Sequence, residues 1–500
     1  MVEPPRPTSI ARGALLTVSM RWASRLIGVV STLILARLLL PEDFGVAAMA
    51  SVVLGLATVL LDVGVNVALV RNKNAEPAHY HAAWTLRVIQ GLLVGATLLA
   101  VAPYAGDYFG DTRVPAVLAL MALTVLVGSF ENIGIVTFQK EMNFAAEFRY
   151  LLANRLFGFV CTVALAFWLR NYWALAFGSL AGAVFGMLNS YRVHPMRPRA
   201  SMRKLGEIFS VSQWMLVQNI GNYVDNSLHS LLVGRRDGAA VMGAYALSDE
   251  LASVPSTEVL QPLNRVLFPA FVAIKDDLAR LKYVFLLAQS IQTAVVLPAA
   301  VFLSLLAADL VPVLLGPKWS AAVPLLATLA IGSALRGASA SAWYVGVTLG
   351  HERRSALLAW GLVSLFLVLA FVVFPTAGAQ RIAQLRVAVL AVGLLVQLLI
   401  VARALGNVTM GEMMRGVWRS VASVVVAAAV AELLSGLQLG VWASLLGKLL
   451  ACTIAYVLVH MVLWVASGRP DGPERFLLDN LRPLAKRVRA RLAGMRPHRE

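Results

Sequence analysis

Cysteine is nearly missing from this chain: Cys161 and Cys452 are the two present in 500 residues, and both sit in apolar stretches. Two such residues build neither a disulfide framework nor a thiolate metal site. Charge is scarce as well. Asp, Glu, Lys and Arg make up 14% of the residues, against roughly a quarter in a soluble domain. No phosphate loop is written anywhere. The nearest approach, Gly440 to Leu449, has the wrong glycine spacing and no Ser or Thr after Lys448, which excludes a nucleotide-driven pump. The HExxH zinc motif is missing too. Segments between apolar runs are short, the longest being Tyr191 to Glu207 and the stretch after Ser467. The expectation is therefore a chain without cofactor or metal that is not an enzyme.

Apolar residues fill what remains. They make up 59% of the chain, and the mean hydropathy is +0.75. Long repeated apolar runs imply transmembrane helices, at roughly twenty residues per crossing, and not barrel strands. The predicted fold class is an all-α integral membrane protein of about fourteen spans: 14–38, 44–69, 84–104, 115–137, 149–169, 172–190, 208–233, 240–264, 283–307, 322–348, 355–374, 383–403, 417–435 and 441–466. The start, MVEPPRPTSIAR, leads into a span too long for the apolar core of a signal peptide, so no cleavable signal is expected.

The net charge of +17 raises nucleic acid as a partner. The placement of the charges argues against it. With the N-terminus in the cytoplasm, Lys and Arg crowd the inner segments, for example Arg71, Lys73 and Arg87, Arg353 and Arg354, and the tail from Arg469 to Arg499. This is the positive-inside bias, and it puts both termini in the cytoplasm.

One short pattern occurs twice. "ARLLLPEDFGVAAMA" begins at Ala36, and "GRRDGAAVMGAYAL" begins at Gly234. Each has a small residue, an arginine, seven residues, a glycine and then apolar helix. The hinges follow spans one and seven. An even number of spans separates them, so both face the same side, as in parallel repeats of a transporter. The expected domains are an N-terminal lobe 1–190, a linker 191–207, a C-terminal lobe 208–404, an extra helix pair 405–467 and a basic tail 468–500. In the tail, Leu477, Leu481, Leu484, Val488 and Leu492 fall at helical spacing among basic residues, the pattern of an amphipathic helix on an anionic leaflet.

Charged and polar side chains inside spans are costly, about 2.5–3.5 kcal/mol for a charge at mid-bilayer, and each needs a reason. Arg21 and Arg25 share a face of span one. Arg25 lies roughly 16 Å along the helix from Ala14 at 1.5 Å per residue. A cavity-facing role competes with snorkelling to the headgroups. Arg336 lies amid small residues in "AIGSALRGASASAW". It either faces a water-filled cavity or ties two helices together by a salt bridge. Span seven carries a polar stripe, Gln218, Asn222, Asp225 with Asn226, and His229. It reads as interhelical glue, or as a cation or proton site at Asp225 with His229 as relay. Span eight is polar and broken by Pro255 and Pro262, with Glu250, Thr257, Gln261, Asn264 and Arg265 on one side. Asp62 and Asn66 form a smaller pair in span two.

Beyond these features the chain resembles a family. "ARLLLPEDFGVAAMA", "LLDVGVNVALV", "FQKEMNF", "GAYALSDELASVP", "LLGPKWSAAVPLL" and "LGHERRSALL" occur in that order over roughly Arg12 to Leu358. They look like the polysaccharide-transport (Wzx-type) branch of the MOP exporter superfamily, the flippases of lipid-linked oligosaccharides. The resemblance implies two six-helix lobes around a cationic cavity, an extra helix pair, and alternating access in the bacterial cytoplasmic (inner) membrane. It implies an undecaprenyl-diphosphate-linked glycan as substrate, the bilayer as its setting, and polysaccharide polymerase and other assembly proteins as partners. Carried over by position, Arg21 and Arg25 are cavity cations and Asp225 is the acidic residue of span seven. Coupling to Na⁺ or H⁺ varies in the family and stays open here. A drug antiporter of the same superfamily is the alternative, but such proteins favour acidic cavities. A membrane glycan polymerase or ligase is the alternative of another class, against which the short outer loops argue.

Overall fold

The computed structural model describes residues 22, 25–61, 65, 69, 75–141, 143–208, 213–406, 408–436 and 440–475. Arg21, Asp62, Asn66 and the expected tail helix beyond residue 475 lie outside the described residues, as do the side chains of Gln218, Gln261 and Arg265.

The described residues form helices and no strands. Among the described residues, ten helices are long and apolar enough to cross a membrane, or eleven if Val114–Ser129 and Ile133–Lys140, bent by 66°, count as one broken span. This is the all-α, multi-pass membrane class that the sequence predicts. Helices suit the bilayer because every backbone polar group is satisfied within its own segment. Large apolar side chains stand outward, with Trp168 82% and Leu433 79% exposed. In water this surface would drive aggregation; in lipid it is the natural coat.

The chain divides into two compact units. The first comprises Met1–Leu247, Leu314–Ala322 and Ala370–Ile382. It contains α1 (residues 25–38), α2 (Pro41–Leu61), α3 (Pro77–Phe109), α4 (Val114–Ser129), α5 (Phe144–Leu169), α6 (Trp173–Val193) and most of α7 (Gln213–Val254). The charged knot Pro41-Glu42-Asp43 is the first turn of α2. Asp43 is buried, and its carboxylate accepts from the backbone N–H of Leu40 and of Tyr172, each at 2.9 Å. A carboxylate suits that place, because the first turn of a helix has unsatisfied N–H groups and a positive dipole end. Asn143 caps α5 in the same manner, accepting from Ala146 N–H at 3.2 Å.

The second unit comprises Ser248–Val313, Val323–Leu369 and Ala383–Glu500. After the end of α7 it contains α8 (Leu260–Ala273), α9 (Leu278–Leu305), α10 (Ala307–Leu314), α11 (Ala322–Thr348), α12 (Glu352–Val368), α13 (Ala379–Ala404), α14 (Met410–Ser435) and α15 (Val441–Ala466). Phe271, Leu281, Phe285, Ala342, Val345 and Val401 form its main apolar cluster. Thr409 and Glu412 close a capping box at the start of α14.

Spans seven and eight differ from expectation. They run as one helical segment broken at a single residue, Gly238 (φ 75°, ψ −176°), in place of a six-residue turn. Glycine alone adopts that backbone without a Cβ penalty. The segment then passes through a π-helical turn at Pro255–Val259 into α8. Proline supplies no N–H for the regular ladder, which favours such a bulge.

Candidate functional site

In the first unit, Arg25 is half-buried on α1. One turn further, a Cβ built on Gly28 would stand 2.9 Å from Nη2 of Arg155 on α5. Arg155 is exposed, and its neighbour Asn154 accepts from Asn189 Nδ2 of α6 at 2.9 Å. The Arg155 guanidinium of α5 thus lies against α1 one turn from Arg25. By charge placement alone, Arg155 counts as an inner-face anchor. Its depth, about three turns inside α5 at 3.6 residues per turn, is the signal that points to the site instead.

On α7, Asn222 and Asn226 are exposed and Asp225 is half-buried. Asn226 Nδ2 donates to the Asn222 carbonyl at 2.7 Å. His229 is fully buried. Its Nδ1 lies 3.3 Å from Ser230 Oγ, and its ring centroid lies 5.4 Å from that of Tyr245. The stripe therefore has an open part at Asn222, Asp225 and Asn226 and a packed part at His229. Tyr223 presses α7 onto α2, donating its hydroxyl to the Val52 carbonyl at 2.6 Å over Gly55.

In the second unit, Arg336 Nη2 of α11 lies 3.7 Å from Asp249 Oδ1 of α7, with side chains 26% and 28% exposed. Ser333 Oγ donates to Ser256 Oγ at 3.0 Å alongside. Glu250, the acidic residue singled out by sequence, is exposed. Its backbone neighbour Asp249 is the one beside the arginine. Helical phase hides this: Glu250 lines up with Thr257, whereas Asp249 lines up with Ser253 and Ser256. Asn264 is buried and accepts from Gln292 Nε2 at 2.8 Å, so it holds α8 to α9.

A second charged cluster is invisible to sequence. Arg419 of α14, His460 of α15 and Glu474 beyond α15 are all buried. Their distances are 3.2 Å from Arg419 Nε and 3.0 Å from His460 Nε2 to Glu474 Oε1. Among the described residues, no group of three or more His, Cys, Asp or Glu is placed to hold a metal.

Cations and carboxylates set among apolar helices, on a chain that writes one hinge twice, belong to a multi-pass all-α membrane protein. The family can be named more closely. The sequence profile of the family described as polysaccharide biosynthesis protein matches residues 34–324. The chain belongs to that family. It is 26% identical over 318 residues to the lipopolysaccharide biosynthesis protein WzxC of Escherichia coli (strain K12), a match covering 62% of this chain and 64% of that protein. It is 25% identical over 304 residues to the succinoglycan biosynthesis transport protein ExoT of Rhizobium meliloti (strain 1021), covering 60% and 62%. The chain thus spans less than two-thirds of the length of these relatives. Among solved structures, the lipid II flippase MurJ in an inward closed conformation superposes with a TM-score of 0.73 at 11% identity, over 91% of this chain and all of that one. An inward-facing multidrug resistance MATE transporter gives 0.59 at 16% identity, over 78% and 98%. At these identities the likeness is one of fold.

Proposed function

We propose that this chain moves a polyprenyl-diphosphate-linked oligosaccharide across the bacterial cytoplasmic membrane by alternating access, with its termini in the cytoplasm, and that it catalyses no covalent step. The observation that carries the reading is the set of arginines within spans, Arg25 with Arg155 in one unit and Arg336 in the other, on a chain of the polysaccharide biosynthesis family. A diphosphate needs positive charge where water is thin, and guanidinium groups meet phosphate oxygens in pairs. A glycan needs hydrogen-bonding groups, and Asn154, Asn189, Asn222 and Asn226 carry amides that suit it. The lipid tail stays in the bilayer throughout. Relatives named for lipopolysaccharide and succinoglycan biosynthesis support an envelope or exported glycan as cargo, and a polymerase would then consume it on the far side. A drug antiporter of the MATE kind would use acidic residues for cationic substrates, and the arginines disfavour it.

The test is reconstitution. Proteoliposomes holding the purified chain and a labelled undecaprenyl-diphosphate oligosaccharide should expose the glycan to an added glycosidase at a rate well above protein-free vesicles. The Arg25→Ala variant, still inserted and folded, should lose most of that rate. Equal exposure with and without the protein overturns the reading.

A further inference from the structure

The two hinge turns lie in one compact unit and grip each other. A Cβ built on Gly45 would fall on the carbonyl of Ala239, and one built on Gly243 would fall on the carbonyl of Pro41. Within the repeat, Pro41 corresponds to Ala239 and Gly45 to Gly243. The same pair of positions therefore meets twice with roles exchanged, as in a contact across a two-fold axis.

The hinge arginines obey the same symmetry. Arg37 Nε donates to the carbonyl of Leu314 at 3.1 Å. Its counterpart Arg235 donates through Nη1 to the carbonyl of Tyr108 at 3.1 Å and lies 4.7 Å from the centre of that ring. The acceptors match as well. Tyr108-Phe109-Gly110 and Leu314-Leu315-Gly316 each finish a helix at a glycine of positive φ, 66° and 104°. Each repeat thus sends its arginine across to the helix end of the other. Lys318 and Trp319 brace the first clasp by donating to the carbonyls of Arg37, Leu39 and Ala36 at 2.6–2.9 Å. Arg236 braces the second by donating to those of Ala370, Phe374 and Ala377.

Both clasping arginines are exposed, so water can replace either bond at small net cost. Their acceptors are main-chain oxygens at helix ends, where carbonyls lack a partner in their own helix. Such contacts close and open without leaving a buried charge behind. We propose that the interlocked hinges are a symmetric latch that holds shut the end of the molecule bearing both turns, and that Arg37 and Arg235 release together when that end opens. The purpose of the latch rests on the alternating-access reading; the closed contact is testable without any substrate.

Spin labels at Asp107 and Ser320, both exposed, report on the two clasped helix ends. The parent chain in lipid nanodiscs, with Cys161 and Cys452 replaced by Ser, should give a narrow distance distribution by double electron–electron resonance. Arg37→Gln with Arg235→Gln should broaden it and move it to longer distance, and each single variant should do so in part. A double variant with the parental distribution overturns the latch. Should the double variant fail to fold, the single Arg37→Gln reads the same point in native membranes. Met242, buried beside Gly243, is replaced by Cys. Its modification by an impermeant thiol reagent should speed up about tenfold when the latch is weakened, and an unchanged rate overturns the proposal. A latch that opens while no glycan moves in proteoliposomes supports the latch and counts against the transport reading instead.

Discussion

Arg419 and Glu474 form an ion pair out of reach of water, 2% and 1% exposed, with Nε to Oε1 at 3.2 Å and Nη2 to Oε2 at 3.3 Å. His460 Nε2 stands 3.0 Å from the same carboxylate, and Trp464 Nε1 donates to the Pro470 carbonyl at 3.0 Å. Together they fasten the segment after α15 onto the α14–α15 pair. Removing one partner of a buried pair leaves the other charge stranded, which costs about 3–5 kcal/mol.

Glu474→Gln should therefore lower unfolding stability by about 3 kcal/mol and open the Arg469 to Arg475 segment to trypsin. The gap between parent and variant should depend on pH in a fixed direction. Burial pushes the Glu474 carboxyl up, but the His460 ring and the Arg419 guanidinium outweigh it and hold the carboxyl below its ordinary 4.5. A carboxyl with a depressed folded pKa contributes stability that is fully present above the unfolded value and fades as pH falls through the folded one. The stability gap should not narrow from pH 7 to 4.5 and should narrow below that. A gap that narrows between pH 7 and 5 contradicts this account.

Gly45 and Gly243 should tolerate no larger residue. The obstacle at each is a backbone carbonyl, which cannot swing aside. Gly45→Ala and Gly243→Ala should each cost about 1–3 kcal/mol, the usual range for overpacking. Nothing would meet a Cβ at Gly447 on α15, so Gly447→Ala should be neutral or gain up to about 1 kcal/mol from helix propensity. Thermal unfolding in detergent ranks all three. Equal midpoints for the first two and the parent would show that the repeats do not touch there.

The hinge motif is legible in the amino-acid sequence, because a repeated arginine and glycine at fixed offset survive in apolar surroundings. So is the helical class, since hydropathy marks the bilayer, and charges written into apolar runs, such as Arg25 and Arg336, stand out. Partners are not legible. Asp249 and Glu250 are adjacent, and only the twist of α7 through its break at Gly238 decides which one faces Arg336. Arg419 reads as an inner-face cation, and nothing in sequence says that Glu474, some fifty residues later, folds back onto it. Asp43 looks like a surface turn because Pro and two acids adjoin. Its burial arises from Tyr172, whose N–H no local pattern could bring there.

The Arg336–Asp249 pair tests what the arginine is for. At a quarter exposed each and 3.7 Å apart, the pair is loose, and its coupling in a double-mutant cycle should fall within about 1 kcal/mol. A carboxylate beside a phosphate-binding arginine competes with the ligand. Asp249→Asn should then bind an undecaprenyl-diphosphate lipid more tightly than the parent, by about threefold to tenfold, and Arg336→Ala more weakly by at least tenfold. These factors correspond to about 0.7–1.4 kcal/mol of relieved competition and a lost charge-assisted contact. Tight binding by Arg336→Ala with coupling above 2 kcal/mol would make the pair a helix tie and nothing more.

Energy is the remaining question, since no phosphate loop exists to spend nucleotide. Under the proposed transport, an uphill step would draw on an ion gradient or on removal of the flipped product. Asp225 is the acid on the open part of the α7 stripe, half-buried, with Asn222 about one turn before it and Asn226 next to it, both exposed. Na⁺ favours hard oxygen ligands such as a carboxylate and amide carbonyls, whereas a proton needs the carboxylate alone. Asn in place of Asp225 keeps the shape and one acceptor oxygen but removes the charge that either ion neutralises. Asp225→Asn should bind the lipid-linked glycan as the parent does and should no longer speed up when a Na⁺ or proton gradient is imposed across proteoliposomes. Imposing each gradient separately on the parent identifies the ion. A variant that answers both gradients as the parent does would make Asp225 a structural member of the stripe, with transport pulled by consumption of the glycan on the far side.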